Sequence, residues 1–323
     1  LGKAADVLGF GRDNLIAIKT DENNKADIAN LREQVADLTA RNIKVMAIIG
    51  VAGTSETGSV DPLDEMADVA EEIGCYYHVD AAWGGPTLFS NTYKHILKGI
   101  ERADSVTIDA HKQMYVPMGA GLVLFKEPTT VSSIEHHAEY IIRKGSKDLG
   151  SYTLEGSRPG MAMLLQSGLK IIGRSGYEIL IDEGINKARS FADMINREEE
   201  FELVSAPELN ILTYRFVPAY VQKALATASE GKRNKILDVL NRLTKRIQKA
   251  QRAHGKSFVS RTTLTPMKYG HYPAVVFRVV LANPLTSMDV LRAIIMEQLE
   301  IAGSNSCKVF MAELACLCDT PAE

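Results

Sequence analysis

The sequence predicts an α/β protein with a mostly parallel sheet covered by helices, followed by a smaller α+β domain. Helical and strand patterns alternate with short connections through residues 1–125. Such alternation is typical of a parallel sheet packed between helices. Beyond about residue 174, strand-like runs are clustered between helices instead. We therefore predict a large domain over 1–173 and a small C-terminal α+β domain over 174–323.

The first domain is predicted element by element from its apolar spacing. Residues 27–39 have helical spacing, and 63–73 do so between Pro62 at the first turn and Gly74 as the stop. The segment 92–100 predicts a further helix. Four short apolar runs, which are typical of strands in a covered sheet, predict strands at 43–50, 75–82, 104–108 and 121–125.

Residues 126–156 lose this periodicity, and a loop of such length in a compact domain is usually functional or mobile. A long helical stretch over 157–197 follows, with an interruption at 173–176. The small domain is then predicted from strand-like runs, a basic helix and a final helix, at 201–206, 210–217, 231–254, 256–264, 274–282 and from 287 onward.

Composition excludes several classes of function. The net charge of −3 gives no basic field for nucleic acid or an anionic membrane, so neither is predicted as a partner. No apolar run approaches the roughly 20 residues of a membrane helix. The four cysteines fit neither a disulfide framework nor a zinc site, which predicts a cytoplasmic protein without a metal; they are Cys75, Cys307, Cys316 and Cys318.

Two charged side chains follow predicted strands. Asp80 ends the apolar run YYHV, and Lys112 follows the run at 104–108. Ligands of open α/β sheets bind beyond the carboxyl ends of strands. One interpretation is an ion pair between the two strands. The other is that both residues bind pyridoxal phosphate, which needs an amine for its aldehyde and a carboxylate for its protonated ring nitrogen.

The motifs HVDAAWGG (78–85) and ADSVTIDAHK (103–112) resemble the group II pyridoxal-dependent decarboxylases, and the likeness extends from Leu1 to about Ala302. The resemblance implies a fold-type I large domain like that of the pyridoxal phosphate-dependent transferases, with a seven-stranded type of sheet that is partly truncated here. It also implies a homodimer with shared active sites. Lys3-Ala4-Ala5 matches the end of a family motif, so we expect the ring-stacking histidine and the phosphate-binding serines upstream of Leu1.

The resemblance implies a role for each matched residue. Lys112 would form the Schiff base with the cofactor, and Asp80 would pair with the pyridine nitrogen. Ala82 would press its methyl group against the ring. His111 would anchor the phosphate, and Ser55 would lie near the cofactor.

Further matches concern the substrate and proton transfer. Tyr140 resembles the loop tyrosine that protonates the substrate carbon after CO₂ leaves, with Tyr152 as a competitor. Arg278 resembles the arginine that binds a substrate carboxylate; an internal salt bridge is the alternative. Asp109 stands where the family usually has asparagine, and an anion near a phosphate is repelled.

The resemblance implies decarboxylation of an acidic L-amino acid, from aspartate to β-alanine or from glutamate to GABA. Trp83-Gly84-Gly85 is closer to the glutamate decarboxylase version of the motif than to the aromatic one, and the general likeness favours aspartate. The alternatives are another fold-type I enzyme, such as an aminotransferase or a carbon–carbon lyase, and a non-catalytic scaffold.

Overall fold

The computed structural model describes residues 1–143, 145–153, 155 and 157–319, so the last four residues of the predicted small domain lie outside the described part. The strands of this part are β1 (Ala47–Val51), β2 (Tyr76–Asp80), β3 (Ser105–Asp109), β4 (Gly121–Phe125), β5 (Phe201–Ser205), β6 (Ile211–Phe216), β7 (Ser260–Leu264) and β8 (Ala274–Val280). The helices are α1 (Gly2–Val7), α2 (Ile28–Ala40), α3 (Leu63–Ile73), α4 (Met161–Arg197), α5 (Ala219–Thr227), α6 (Glu230–His254), α7 (Met288–Gly303) and α8 (Lys308–Asp319).

The first sheet has the order β1-β2-β3-β4. The first three strands are parallel, and β4 runs antiparallel to β3. Asp80 pairs with Val51 on one side and with Thr107 on the other, so the ends of three strands lie in register. The prediction of a mostly parallel sheet in the large domain is therefore confirmed.

Helix α3 packs on β1 and β2, and α2 packs against α3. Both helices lie where the apolar spacing predicts them. The Asp27 carboxylate caps α2 by accepting from the Ala29 and Asn30 amides. Gly74 ends α3 in the left-handed conformation, with φ of 64°. Leu63 of α3 is buried in the same core as the sheet residue Val79.

The helix predicted at 92–100 is wrong. Short 3₁₀ turns occupy Lys94–Leu97 and Ile100–Arg102. Between them Gly99 has φ of 95°, and a Cβ there would lie 2.4 Å from the Asp64 backbone nitrogen. Because the chain must pass this close to the first turn of α3, Gly99 leaves the helical region and the helix cannot continue.

Helix α4 runs through the predicted domain boundary. It is interrupted at Gly173, with φ of 68° and ψ of 171°, as the sequence predicts. Ile181 and Ile185 of α4 pack in the core of the first sheet, while Phe191 and Ile195 pack in the second core. One helix therefore connects the two hydrophobic cores, and the boundary near residue 174 stays a prediction.

The second sheet is antiparallel, with the order β5-β6-β8-β7. Its core contains Tyr214 and Phe277, together with Leu240 of α6 and Ile295 of α7. The single final helix predicted from residue 287 is instead two helices, α7 and α8. The described part of the chain contains no helix with the length and apolar character that a membrane span requires.

Candidate active site

The carboxyl ends of β1, β2 and β3 meet at one edge of the first sheet. The loop after β2 lies directly on the loop after β1, where the Gly84 amide donates to the Ala52 carbonyl at 2.9 Å. A Cβ at Gly84 would lie 2.4 Å from that carbonyl oxygen, so only glycine permits this approach. The two loops therefore form a continuous floor beside Asp80.

Asp80 presents a half-buried carboxylate at this edge. Its Oδ1 accepts from the Ala82 amide at 3.1 Å, and its Oδ2 has no hydrogen-bond partner among residues that the structure describes. The Ala82 carbonyl in turn accepts from the Asp109 amide at 3.2 Å. These two hydrogen bonds connect Asp80 with the segment that carries Lys112.

His78 lies on the same face of β2 as Asp80, since side chains alternate along a strand. Its Nδ1 lies 2.8 Å from the Ser105 hydroxyl. Burial lowers the pKa of His78, and the nearby Asp80 opposes that shift. The contact with Ser105 agrees with a structural hydrogen-bonding role for His78.

Lys112 lies in the turn after β3, and its ion partner is Asp109 rather than Asp80. The Nζ atom is 2.9 Å from Asp109 Oδ2, and the Lys112 side chain is 31% exposed. The ion pair between β2 and β3 that the sequence allowed is absent from the described residues. The Asp80 carboxylate is thus not engaged by Lys112, whose partly exposed amine pairs with Asp109.

His111 is oriented by a hydrogen bond to Ala120, the residue before β4. Its Nδ1 lies 2.9 Å from the Ala120 carbonyl oxygen, which can only accept, so Nδ1 carries the proton in this contact. The other ring nitrogen, Nε2, lies 3.8 Å from Asp109 Oδ2. Nε2 is the atom that His111 offers to a ligand.

Arg278 of β8 reaches the loop after β1. Its Nε donates to the Ser55 carbonyl at 2.6 Å. Burial lowers the pKa of Arg278, and the charge of Glu56 opposes the shift. No carboxylate of the described residues lies within ion-pair distance of this guanidinium, so the internal salt bridge that the sequence allowed is not formed there.

Tyr140 is not brought into this cluster. Its side chain is 84% exposed, in a turn closed by a bridge between Ala138 and Ile142. The competing Tyr152 donates its hydroxyl to Glu135 at 3.2 Å. Neither tyrosine hydroxyl hydrogen-bonds to Lys112 in the part of the chain that the structure describes, and the role of Tyr140 stays a prediction.

Three residues at the site were not found from the sequence. Gln113 and Asn210 are each 2% exposed and hydrogen-bond to each other at 2.9 Å. Tyr115 has φ of 57°, which is uncommon outside glycine, and its hydroxyl donates to the Ala282 carbonyl at 2.6 Å. Gln113 and Tyr115 lie one and three residues after Lys112 in the chain, which is a weak signal that they belong to the site. Nothing in the sequence places Asn210 beside them.

The donor set fits pyridoxal phosphate. The free Oδ2 of Asp80 can accept a hydrogen bond from a protonated pyridine nitrogen, and Lys112 supplies a partly exposed primary amine. His111 adds a nitrogen oriented away from Ala120. Asp109 is the residue that departs from this pattern, because its carboxylate adds a negative charge between Lys112 and His111.

The fold and these residues define a fold-type I α/β scaffold with an amine and a carboxylate at the carboxyl edge of its sheet. The Pyridoxal-dependent decarboxylase conserved domain matches residues 1–217, and the chain therefore belongs to that family.

Individual relatives agree with this assignment. The chain is 61% identical over 305 residues to an aspartate 1-decarboxylase of Aliivibrio fischeri, with 94% of this chain and 56% of the relative covered. It is 32% identical over 223 residues to human cysteine sulfinic acid decarboxylase, with 67% and 45% covered. The crystal structure of mouse CSAD in apo form matches with a TM-score of 0.82 at 26% identity, over 93% of this chain and 61% of that one. The matched regions thus cover between 45% and 61% of the length of these proteins.

Proposed function

We propose that this chain carries the catalytic residues of a pyridoxal phosphate-dependent decarboxylase that converts aspartate to β-alanine. The placement of Asp80 and Lys112 at one sheet edge, connected through Ala82 and Asp109, is the observation that supports it best. The 61% identity to an aspartate 1-decarboxylase supports aspartate as the substrate. Glutamate, which would give GABA, is longer by one methylene, a difference of only about 1–3 kcal/mol in most pockets.

Each residue of the edge has a task in this proposal. When bound, pyridoxal phosphate supplies an electron-withdrawing ring that stabilises negative charge on the substrate's α-carbon. Lys112 would hold the cofactor at its aldehyde carbon through Nζ, and Asp80 would keep its ring nitrogen protonated through Oδ2. Ala82 would pack against the ring, His111 would bind the phosphate through Nε2, and Ser55 would lie near the cofactor.

Arg278 and Tyr140 are proposed to act on the substrate. The bond from Arg278 Nε to Ser55 fixes the guanidinium and leaves its terminal nitrogens for a carboxylate. Such a clamp would hold one carboxylate of the amino acid and so fix its orientation in the site. Tyr140 returns a proton to the α-carbon after CO₂ has left, and its exposure suits a residue that acts from a loop.

We further propose a cytoplasmic homodimer whose active sites are shared between subunits. Large apolar side chains of the first domain are exposed in the single chain, among them Met118 at 82%, Val123 at 52% and Ile171 at 83%. Exposed apolar surface of this extent supports coverage by another protein surface.

Product analysis tests the proposed function. The full-length protein is incubated with pyridoxal phosphate and with aspartate or glutamate separately. We expect CO₂ and β-alanine from aspartate, at a higher kcat/KM than GABA from glutamate. A keto acid as the product would indicate an aminotransferase, and an aldehyde would indicate a carbon–carbon lyase. Absence of both product and cofactor binding would favour a scaffold.

A further inference from the structure

We infer that Trp83, Gln113 and Asn210 form a hydrogen-bonded ring that positions Lys112 relative to Asp80 and couples this placement to the small domain. The inference rests on the proposed function, because it concerns how the two cofactor-binding side chains are held. The three residues are positioning residues and need not touch the cofactor or substrate.

The ring closes on itself. Gln113 Nε2 donates to the Trp83 carbonyl at 2.7 Å. Trp83 Nε1 donates to Asn210 Oδ1 at 2.9 Å, and Asn210 Nδ2 donates to Gln113 Oε1 at 2.9 Å. Both side-chain amides thus use their oxygen and their nitrogen inside the ring. This reciprocity fixes the orientation of each amide.

The two amides of the ring are buried and Trp83 is half-buried, so the bond between the amides has little access to water. Gln113 and Asn210 are each only 2% exposed. Gly184 of α4 lies against Asn210, where a Cβ would be 3.2 Å from Nδ2. Removing one amide leaves the others with unpaired polar atoms in the interior, which makes the three residues interdependent.

The ring acts on both cofactor-binding side chains. Gln113 directly follows Lys112, so anchoring its side chain fixes the backbone from which Lys112 extends. Trp83 lies in the loop that begins at Asp80, so the same anchor fixes the distance between the two loops. A displacement of about 1 Å between reacting groups can reduce a rate about 10²-fold.

Asn210 brings in the small domain. It lies directly before β6, and its carbonyl accepts from the Leu281 amide at 2.8 Å, just beyond β8. Strand β8 also carries Arg278, which we propose as the substrate-carboxylate residue. A shift of the second sheet relative to the first would therefore change the Lys112 loop and Arg278 together.

The test replaces the ring amides by apolar residues of similar shape. The variants are Gln113→Met, Asn210→Leu and the double variant, made in the full-length protein. Gln298→Met is the matched control, because Gln298 is fully buried and hydrogen-bonded to Tyr214 at 3.0 Å in the small domain, outside the ring. It measures what the loss of any buried amide does to this protein.

Two readouts report on positioning. In cofactor-free protein, the fluorescence emission of Trp83 reports the indole hydrogen bond to Asn210. It is obtained as the difference between the spectra of each protein with and without Trp83→Phe, and Trp83 is the single tryptophan of the 323 residues. With pyridoxal phosphate bound, visible circular dichroism reports the asymmetry of the cofactor's setting, and kinetics separates kcat from KM.

We expect Gln113→Met and Asn210→Leu each to shift the Trp83 emission, to change the visible circular dichroism and to lower kcat about 10²-fold, with KM changed less than threefold. The double variant should be no worse than either single variant, since one break opens the ring. Gln298→Met should alter none of these signals.

Equal behaviour of Gln113→Met and Gln298→Met would overturn the inference, as would additive losses in the double variant. Failure of the proposed function is distinguishable from this result. If the unaltered protein binds no pyridoxal phosphate and forms no amine from aspartate, the function fails, whereas the inference fails alone if the unaltered protein is active and the ring variants match the control.

Discussion

Lys112 Nζ and Asp109 Oδ2 lie 2.9 Å apart at the end of β3, in a pair whose side chains are 31% and 23% exposed. A pair with this degree of exposure contributes only about 0–1 kcal/mol to stability. Its position matters more than its strength, because the carboxylate holds the amine at the carboxyl edge of the sheet where Asp80 also ends a strand.

Replacing Asp109 by asparagine should therefore be mild. We expect Asp109→Asn to change the free energy of unfolding by less than about 1 kcal/mol and to retain the Lys112 adduct with pyridoxal phosphate, since the amide still offers Lys112 an acceptor oxygen. Urea unfolding and the visible absorbance band of the bound cofactor measure the two effects. Loss of the band would show that the charge of Asp109 is required for cofactor binding.

Asp80→Asn should separate the charge of this side chain from its structural hydrogen bond. The amide oxygen can still accept from the Ala82 amide, so the loop should keep its place. It cannot hold a positive charge on the ring nitrogen, and we expect kcat to fall on the order of 10²- to 10³-fold. Steady-state kinetics with aspartate checks this, with Asp80→Glu as the variant that keeps the charge. Unchanged kcat in Asp80→Asn would contradict the assigned role.

Arg278→Lys should weaken substrate binding more than it slows the chemistry. Lysine keeps the charge but loses the planar fork that binds a carboxylate through two bonds, so KM for aspartate should rise about tenfold to a hundredfold. The matched control is Arg261→Lys, on the adjacent strand β7 and exposed. An equal KM in the two variants would remove Arg278 from the substrate site.

His78 should make folding stability depend on pH. Burial lowers its pKa in the folded protein below the ordinary value of 6.5, so the unfolded chain binds more protons as pH falls through that range. Stability is therefore highest above pH 6.5 and should decrease below it, with a slope of at most about 1.4 kcal/mol per pH unit from this group.

Urea unfolding between pH 5 and 8 measures the His78 effect. His78→Gln should flatten this part of the profile, whereas His95→Gln, at an exposed histidine bonded to the Thr92 carbonyl, should leave it unchanged. An unaltered slope in His78→Gln would assign the pH dependence to other groups.

Local signals predicted much of the fold. Helix α3 follows from its apolar spacing between Pro62 and Gly74, and β1 to β4 follow from short apolar runs between turns. The split between α7 and α8 did not follow from local signals, because it depends on Ser304. The Ser304 hydroxyl donates to the Ile301 carbonyl at 2.7 Å and so competes with the backbone hydrogen bonds of the helix. A serine has this effect only in some helix contexts, so the sequence alone leaves the choice open.

The site was predictable where it depends on strand ends and not where it depends on tertiary contacts. Asp80 and Lys112 could be placed at one edge because parallel strands end together. The bond between Gln113 and Asn210 joins residues far apart in the sequence, and no local pattern marks it. The ion partner of Lys112 was also open, since the turn geometry that selects Asp109 over Asp80 depends on the folded loops.

Trapping the cofactor on the protein tests the central claim most directly. The full-length protein is loaded with pyridoxal phosphate, reduced with borohydride, digested and mapped by mass spectrometry, in parallel with Lys112→Ala and with Lys126→Ala as an exposed-lysine control. We predict that the cofactor is attached at Lys112, that Lys112→Ala loses both the attachment and at least about 10³-fold of the decarboxylation rate, and that Lys126→Ala keeps both. Attachment at another lysine, with Lys112→Ala as active as the unaltered protein, would contradict the account.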